Sequence, residues 1–119
     1  MYNGLMEIIY DFLDLNKYIN AERTNRFMAA KLKKDMTALF EREFINHEPI
    51  NGRFAMSFNW YMKNKRKDPD NIAFQKKFIL DGMIKAGVIQ NDNINTVIGF
   101  CDNFIVKGHE GVKIEFIHE

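Results

Sequence analysis

The sequence predicts an α+β domain on a mixed sheet, in the order β-α-β-α-β-β, with two main helices packed on the sheet. Three observations carry this prediction. Residues 53–62 alternate between large apolar side chains and smaller or polar ones, the period of a strand with one buried face. Residues 21–44 and 71–86 place apolar side chains at spacings of three and four, the period of an amphipathic helix. The C-terminal stretch divides into two apolar runs around the glycines at 108 and 111, which reads as an antiparallel hairpin.

Taken in order, residues 5–13 are rich in apolar and β-favouring types and form the first expected strand, with 16–20 as a loop. In the first helix Met28, Leu32, Met36, Leu39 and Phe40 make one apolar stripe, core filler before anything else. In the second strand Phe54, Met56, Phe58, Trp60 and Met62 point one way, while Arg53, Ala55, Ser57, Asn59 and Tyr61 point the other. That aromatic ladder is expected to pack on a helix rather than stack bases. Pro69 pushes Asp68 towards extended backbone. The second helix is therefore expected to begin at Asp70 or Asn71, both good N-caps. Ile72, Ile79, Met83 and Ala86 would lie inside, and Gly87 would end the helix. Strands over 95–106 and 111–118 complete the sheet, with Val112, Ile114 and Phe116 on one face.

The 119 residues fit one domain, and eleven Phe with 46% hydrophobic residues exclude disorder. No apolar stretch approaches the ~20 residues of a membrane span. Glu7, Asp11 and Asp14 interrupt the region where a signal peptide needs apolar residues, so a soluble, cytoplasmic protein is expected. Cys101 is the sole cysteine, so no internal disulfide forms. Its apolar neighbours Val97, Ile98, Phe100 and Phe104 favour a core position over a nucleophile. His47, His109 and His118 are scattered and read as surface residues.

A net charge of +1 is not the lopsided balance of a purely electrostatic nucleic-acid binder. The distribution says more. Lys63, Lys65, Arg66 and Lys67 are four cations in five residues, and Lys31, Lys33 and Lys34 form a second group. A charge run is often just a solvated loop. Here it runs straight into Asp68 and Asp70, which flank Pro69 at a strand-to-helix junction. Magnesium takes a few carboxylate oxygens and completes its shell with water and substrate phosphate. Cations to grip a phosphate backbone beside acids to hold a metal make a coherent pair of functions. A third acid would have to be brought in by the fold, and Asp92, in the polar segment after the second helix, is the candidate.

Lys77 follows Asp70 by seven residues and Asp81 follows Lys77 by four, so a continuous helix would align all three. Lys77 could offset charge at a scissile phosphate. The plainer alternative is an i,i+4 Lys–Asp pair on a solvated face. A calcium loop starting at Asp68 is excluded. It would put Ala73 where glycine is needed and Ile79 where a bidentate glutamate belongs.

The run Lys67-Asp68-Pro69-Asp70-Asn71, continued by 76–82 (KKFILDG) and 86–92 (AGVIQND), resembles the RusA family of Holliday junction resolvases. The upstream run 15–23 (LNKYINAER) is similar to phage and prophage members, and the resemblance extends from about residue 5 to the end. The resemblance implies a magnesium-dependent endodeoxyribonuclease, with manganese able to substitute. It implies a homodimer that resolves four-way junctions by paired symmetric nicks, in recombination, repair or phage DNA processing. By motif, Asp68, Asp70 and Asp92 would hold the metal, and Lys77 or the adjacent Lys76 would be the helix lysine. Lys65, Arg66, Lys67, Lys76, Asn16 and Arg23 would contact DNA. One departure stands out: Asn91 occupies the first position of what is often an Asp-Asp pair.

Overall fold

In the computed structural model, which describes residues 3–119, the chain is an α+β fold on a four-stranded mixed sheet. The elements are β1 (Asn3–Ile9), α1 (Leu15–Thr24), α2 (Arg26–Phe44), β2 (Phe54–Met62), α3 (Pro69–Ala73), α4 (Lys76–Lys85), β3 (Val97–Val106) and β4 (Gly111–His118). The expected class therefore holds, but each expected helix is divided in two.

The strand order is β1-β4-β2-β3. β4 is antiparallel to both its neighbours, and β2 runs parallel to β3 across the helical crossover. This corrects the expected terminal hairpin. β3 and β4 are consecutive in the chain yet do not pair, because β2 lies between them. The connection crosses the end of β2, where the carbonyl of Met62 accepts from the N–H groups of Lys107 (2.8 Å) and Gly108 (3.2 Å).

The ladder Phe54, Met56, Phe58, Trp60 and Met62 is buried, as its alternation predicts. It shares one sheet face with Val112, Ile114 and Phe116, and packs with Phe40 and Phe44 of α2 and Phe78, Ile79 and Met83 of α4. The helices abut closely at Gly82, where a Cβ would meet Phe40 Cβ at 2.5 Å and the Glu41 nitrogen at 2.8 Å. The opposite sheet face carries exposed Leu5, Ile9 and Ile117. Cys101 also lies on that face and is exposed, not in the core, because β3 is an edge strand. Tyr61 occupies the same face but is buried, its hydroxyl bonded to Glu7.

The expected loop over 16–20 is helical. Asp14 caps α1 by accepting from Lys17 N at 3.1 Å, and Tyr18 rests against Phe74 and Phe78 at 6.1 and 5.8 Å between ring centres. Polar residues with no apolar period hid this helix, and tertiary contact holds it. Asn25 ends α1 and starts α2, its N–H donating to Ala21 O and its side chain accepting from Met28 N. Met28, expected in the inner stripe, is exposed. The second helical region begins one residue early, with Asp68 as N-cap and Pro69 in the first turn. It tightens at Phe74–Gln75 through Lys77 N→Phe74 O and Phe78 N→Gln75 O bonds, then ends before Gly87 at φ 79°. Among the described residues no helix is long and apolar enough to cross a membrane.

Candidate functional site

The first strand stops at Ile9 rather than continuing to 13, and residues 10–14 have no regular structure. Backbone buried outside a helix or sheet must find other partners. Here side chains supply them. Gln75, fully buried, accepts from Leu13 N at 3.3 Å and from the Tyr10 hydroxyl at 3.2 Å, and donates to Leu13 O at 2.6 Å. Glu110 accepts from Phe12 N at 2.8 Å, and Asn71 accepts from Leu15 N at 2.9 Å. Burial, with Glu110 nearby, holds the Tyr10 pKa well above the usual phenol value.

These bonds fix one wall of a cleft of about 810 Å³ beyond the end of β2. Asp11 and Phe12 line it on that side, Lys63, Arg66 and Lys67 on another, and His109 and Glu110 on the turn between β3 and β4. Lys67 is already engaged: its ammonium pairs with Glu110 at 2.7 Å and lies 5.6 Å from the centre of the Phe12 ring. Lys65 and Arg66 are exposed, and the Asn64 side chain accepts from Arg66 N at 2.9 Å to shape the loop.

Asp68 and Asp70 follow directly, at the N-cap and in the first turn of α3, and both are exposed. Asn16 is exposed in the first turn of α1, next to Leu15, which Asn71 ties to this same corner. Arg23 is exposed in the last turn of α1, ~10 Å farther along the helix.

Asp92 is elsewhere. β2 and β3 are parallel, with Phe54 paired to Val97 and Met62 to Val106. Asp92 precedes β3, at the end where β2 begins, whereas Asp68 and Asp70 follow the end where β2 finishes. A nine-residue strand separates the two ends by roughly 30 Å. The expected return of Asp92 to the other two acids does not occur within one chain. Among the described residues no group of three or more His, Cys, Asp or Glu is placed to hold a metal. Beside Asp92, the Asn91 side chain accepts from Thr96 Oγ1 at 2.7 Å and shapes its own loop.

The two helix lysines part company. Lys76 pairs with Asp102 at 2.5 Å and lies 4.7 Å from the Phe100 ring centre and 5.7 Å from that of Phe58. Asp102 also accepts from the Trp60 indole at 2.8 Å. Lys77 is exposed, and among the described residues it forms no ion pair with Asp81. Asp81 faces α1. Burial raises the Tyr18 pKa first, and the charges of Glu22 and then Asp81 raise it further.

A divalent cation with oxygen preference fits this corner chemically. Asp68 and Asp70 offer two accessible carboxylates next to a basic loop, and phosphate and water can complete such a shell. No local pattern marks Gln75, Glu110 or Asp102. Their partners lie 62, 98 and 42 residues away, and no local period records contacts at that range. No known family model matches the chain, and no curated protein does.

Proposed function

We propose that this chain is a magnesium-dependent endodeoxyribonuclease of the RusA type, which resolves Holliday junctions by paired symmetric nicks as a cytoplasmic homodimer. One observation carries the reading: Asp68 and Asp70 stand exposed where the Lys63–Lys67 cleft wall meets α3. Metal-binding acids and phosphate-gripping cations are useful only when adjacent, and here they are consecutive.

In this reading Arg66 and Lys65 hold the DNA backbone, and Lys67 joins them by exchanging Glu110 for a phosphate oxygen. Asn16 and Arg23 extend the contact along α1. Asp68 and Asp70 hold the metal, which would supply Lewis-acid activation and charge neutralisation at the phosphate. Lys77, exposed on α4, is the lysine available to approach a substrate. Lys76 is committed to Asp102. Contacts of this kind recognise the DNA backbone, so selectivity rests on junction shape rather than base sequence.

The separation of Asp92 favours a second reading, a branched-DNA-binding or regulatory protein that does not cut. A synthetic four-way junction with and without magnesium distinguishes the two. The enzyme reading requires paired nicks that depend on the metal and are lost in Asp70→Asn while junction binding persists. Tight binding without nicks at every magnesium or manganese concentration would establish the second reading. Equal cleavage of linear duplex would remove the junction preference.

A further inference from the structure

From Lys63 to Asp70 every residue is exposed except Lys67. Its side chain is 33% exposed, and that of its partner Glu110 only 13%. The pair therefore lies deep in the cleft, whereas Lys63 and Arg66 line it from exposed positions. Among the described residues neither Lys63 nor Arg66 forms an ion pair, so the innermost of these cations is the one that carries its own counter-charge. Asp11, the other acid lining the cleft, is exposed and pairs with no cation among the described residues.

Glu110 is held through both carboxylate oxygens. Oε2 accepts from the Lys67 ammonium at 2.7 Å, and Oε1 accepts from Phe12 N at 2.8 Å. The Phe12 amide thus keeps the carboxylate in place whether or not the lysine stays on it. A partly buried pair is screened less by salt than charges in open solvent. Seen from the cleft mouth, opposite charges in contact nearly cancel, and Lys67 adds little to the pull on a distant anion. Only a phosphate that descends to contact distance can draw the ammonium off Glu110. A duplex backbone lying along Lys63, Lys65 and Arg66 has no need to descend. Where two backbones converge, a phosphate can be driven inward.

We propose that Glu110 is a selectivity element. By masking Lys67 it holds down the cleft's affinity for ordinary duplex, and it reserves the deepest cation for a phosphate pushed into the cleft where DNA strands branch. The selectivity rests on the nuclease reading above. The masking rests on the ion pair itself.

The test compares binding of the full chain to a four-way junction and to linear duplex, in EDTA so that nothing is cut. Glu110→Gln removes the charge and keeps a carbonyl oxygen for Phe12 N. Duplex affinity should rise about threefold or more, with a salt slope steeper by about one unit. Junction affinity should rise less, so the preference narrows. In a Lys67→Met background the same substitution should change neither affinity. Lys67→Met alone, which leaves the bond from Phe12 N intact, should cost the junction more than the duplex. Unchanged duplex affinity in a natively folded Glu110→Gln overturns the proposal. Equal gains for both DNAs, a gain that persists beside Lys67→Met, or equal losses in Lys67→Met alone overturn it too. A wild type that binds neither DNA sinks the nuclease reading, and heparin retention then decides the masking. Glu110→Gln should elute at higher salt only when Lys67 is present; elution at the wild-type salt would overturn the masking as well.

Discussion

Lys76 reaches across the sheet's edge strand to Asp102, 26 residues later in the chain, and closes an ion pair of 2.5 Å. The two side chains are only 19% and 21% exposed, and the Trp60 indole donates to the same carboxylate. A lysine held this way anchors the start of α4 to β3, whereas its neighbour Lys77 stands in solvent.

The two lysines should therefore separate experimentally. Asp102→Asn leaves a partly buried ammonium without its counter-charge and is expected to cost about 1–3 kcal/mol in urea unfolding. Lys77→Met, at an exposed position, should stay within about 0.5 kcal/mol of wild type yet lose junction cleavage. Full cleavage by Lys77→Met would return the role to Lys76 or remove it from α4.

Arg66 should behave as a backbone contact. Arg66→Ala is expected to weaken binding to all DNA sequences alike, and to lower the slope of log affinity against log salt by about one unit. A weakening confined to one sequence would mark a base contact instead.

Gln75 satisfies Leu13 on both its N–H and its C=O and also meets the Tyr10 hydroxyl, all from a fully buried position. Gln75→Leu keeps the volume but leaves those groups unpaired, and should cost about 2–4 kcal/mol. Hydrogen exchange at the Leu13 amide should quicken more than exchange at the Ile114 amide in β4. Equal acceleration at both would mean a global effect rather than a loosened cleft wall.

Tyr61 supplies a pH dependence. Its hydroxyl donates to the Glu7 carboxylate, and this bond, ahead of burial and the Glu7 charge, raises its pKa from 10.0 to about 12. A folded-state value above the unfolded one favours the folded, neutral phenol. The stabilisation is thus complete below pH 10 and disappears as pH rises through about 12. Tyr61→Phe should flatten that part of the stability profile. An unchanged decline between pH 10 and 12 in the variant would assign it to other groups.

The local patterns account for a large part of this. Alternation over 53–62 names the buried ladder correctly, because a strand's two faces are written at a period of two whatever its neighbours are. The consecutive order of Lys65, Arg66, Lys67, Asp68 and Asp70 likewise guarantees that cations and acids are neighbours in space. Other features are not local. α1 lacks an apolar period and exists because Tyr18 finds Phe74 and Phe78, while the cleft wall exists because Gln75, Glu110 and Asn71 reach irregular backbone from distant elements.

Local residue patterns were enough to specify the α+β class, the inner face of β2 and the juxtaposition of a basic run with Asp68 and Asp70. Long-range packing set the rest: β2 separates β3 from β4, Lys76 is spent on Asp102, and Asp92 stands at the far end of the sheet. The difference is one of range. Periodicity and adjacency are properties of a few consecutive residues, whereas strand order and the direction of a crossover follow from burying the helices against one face of the sheet in a single core.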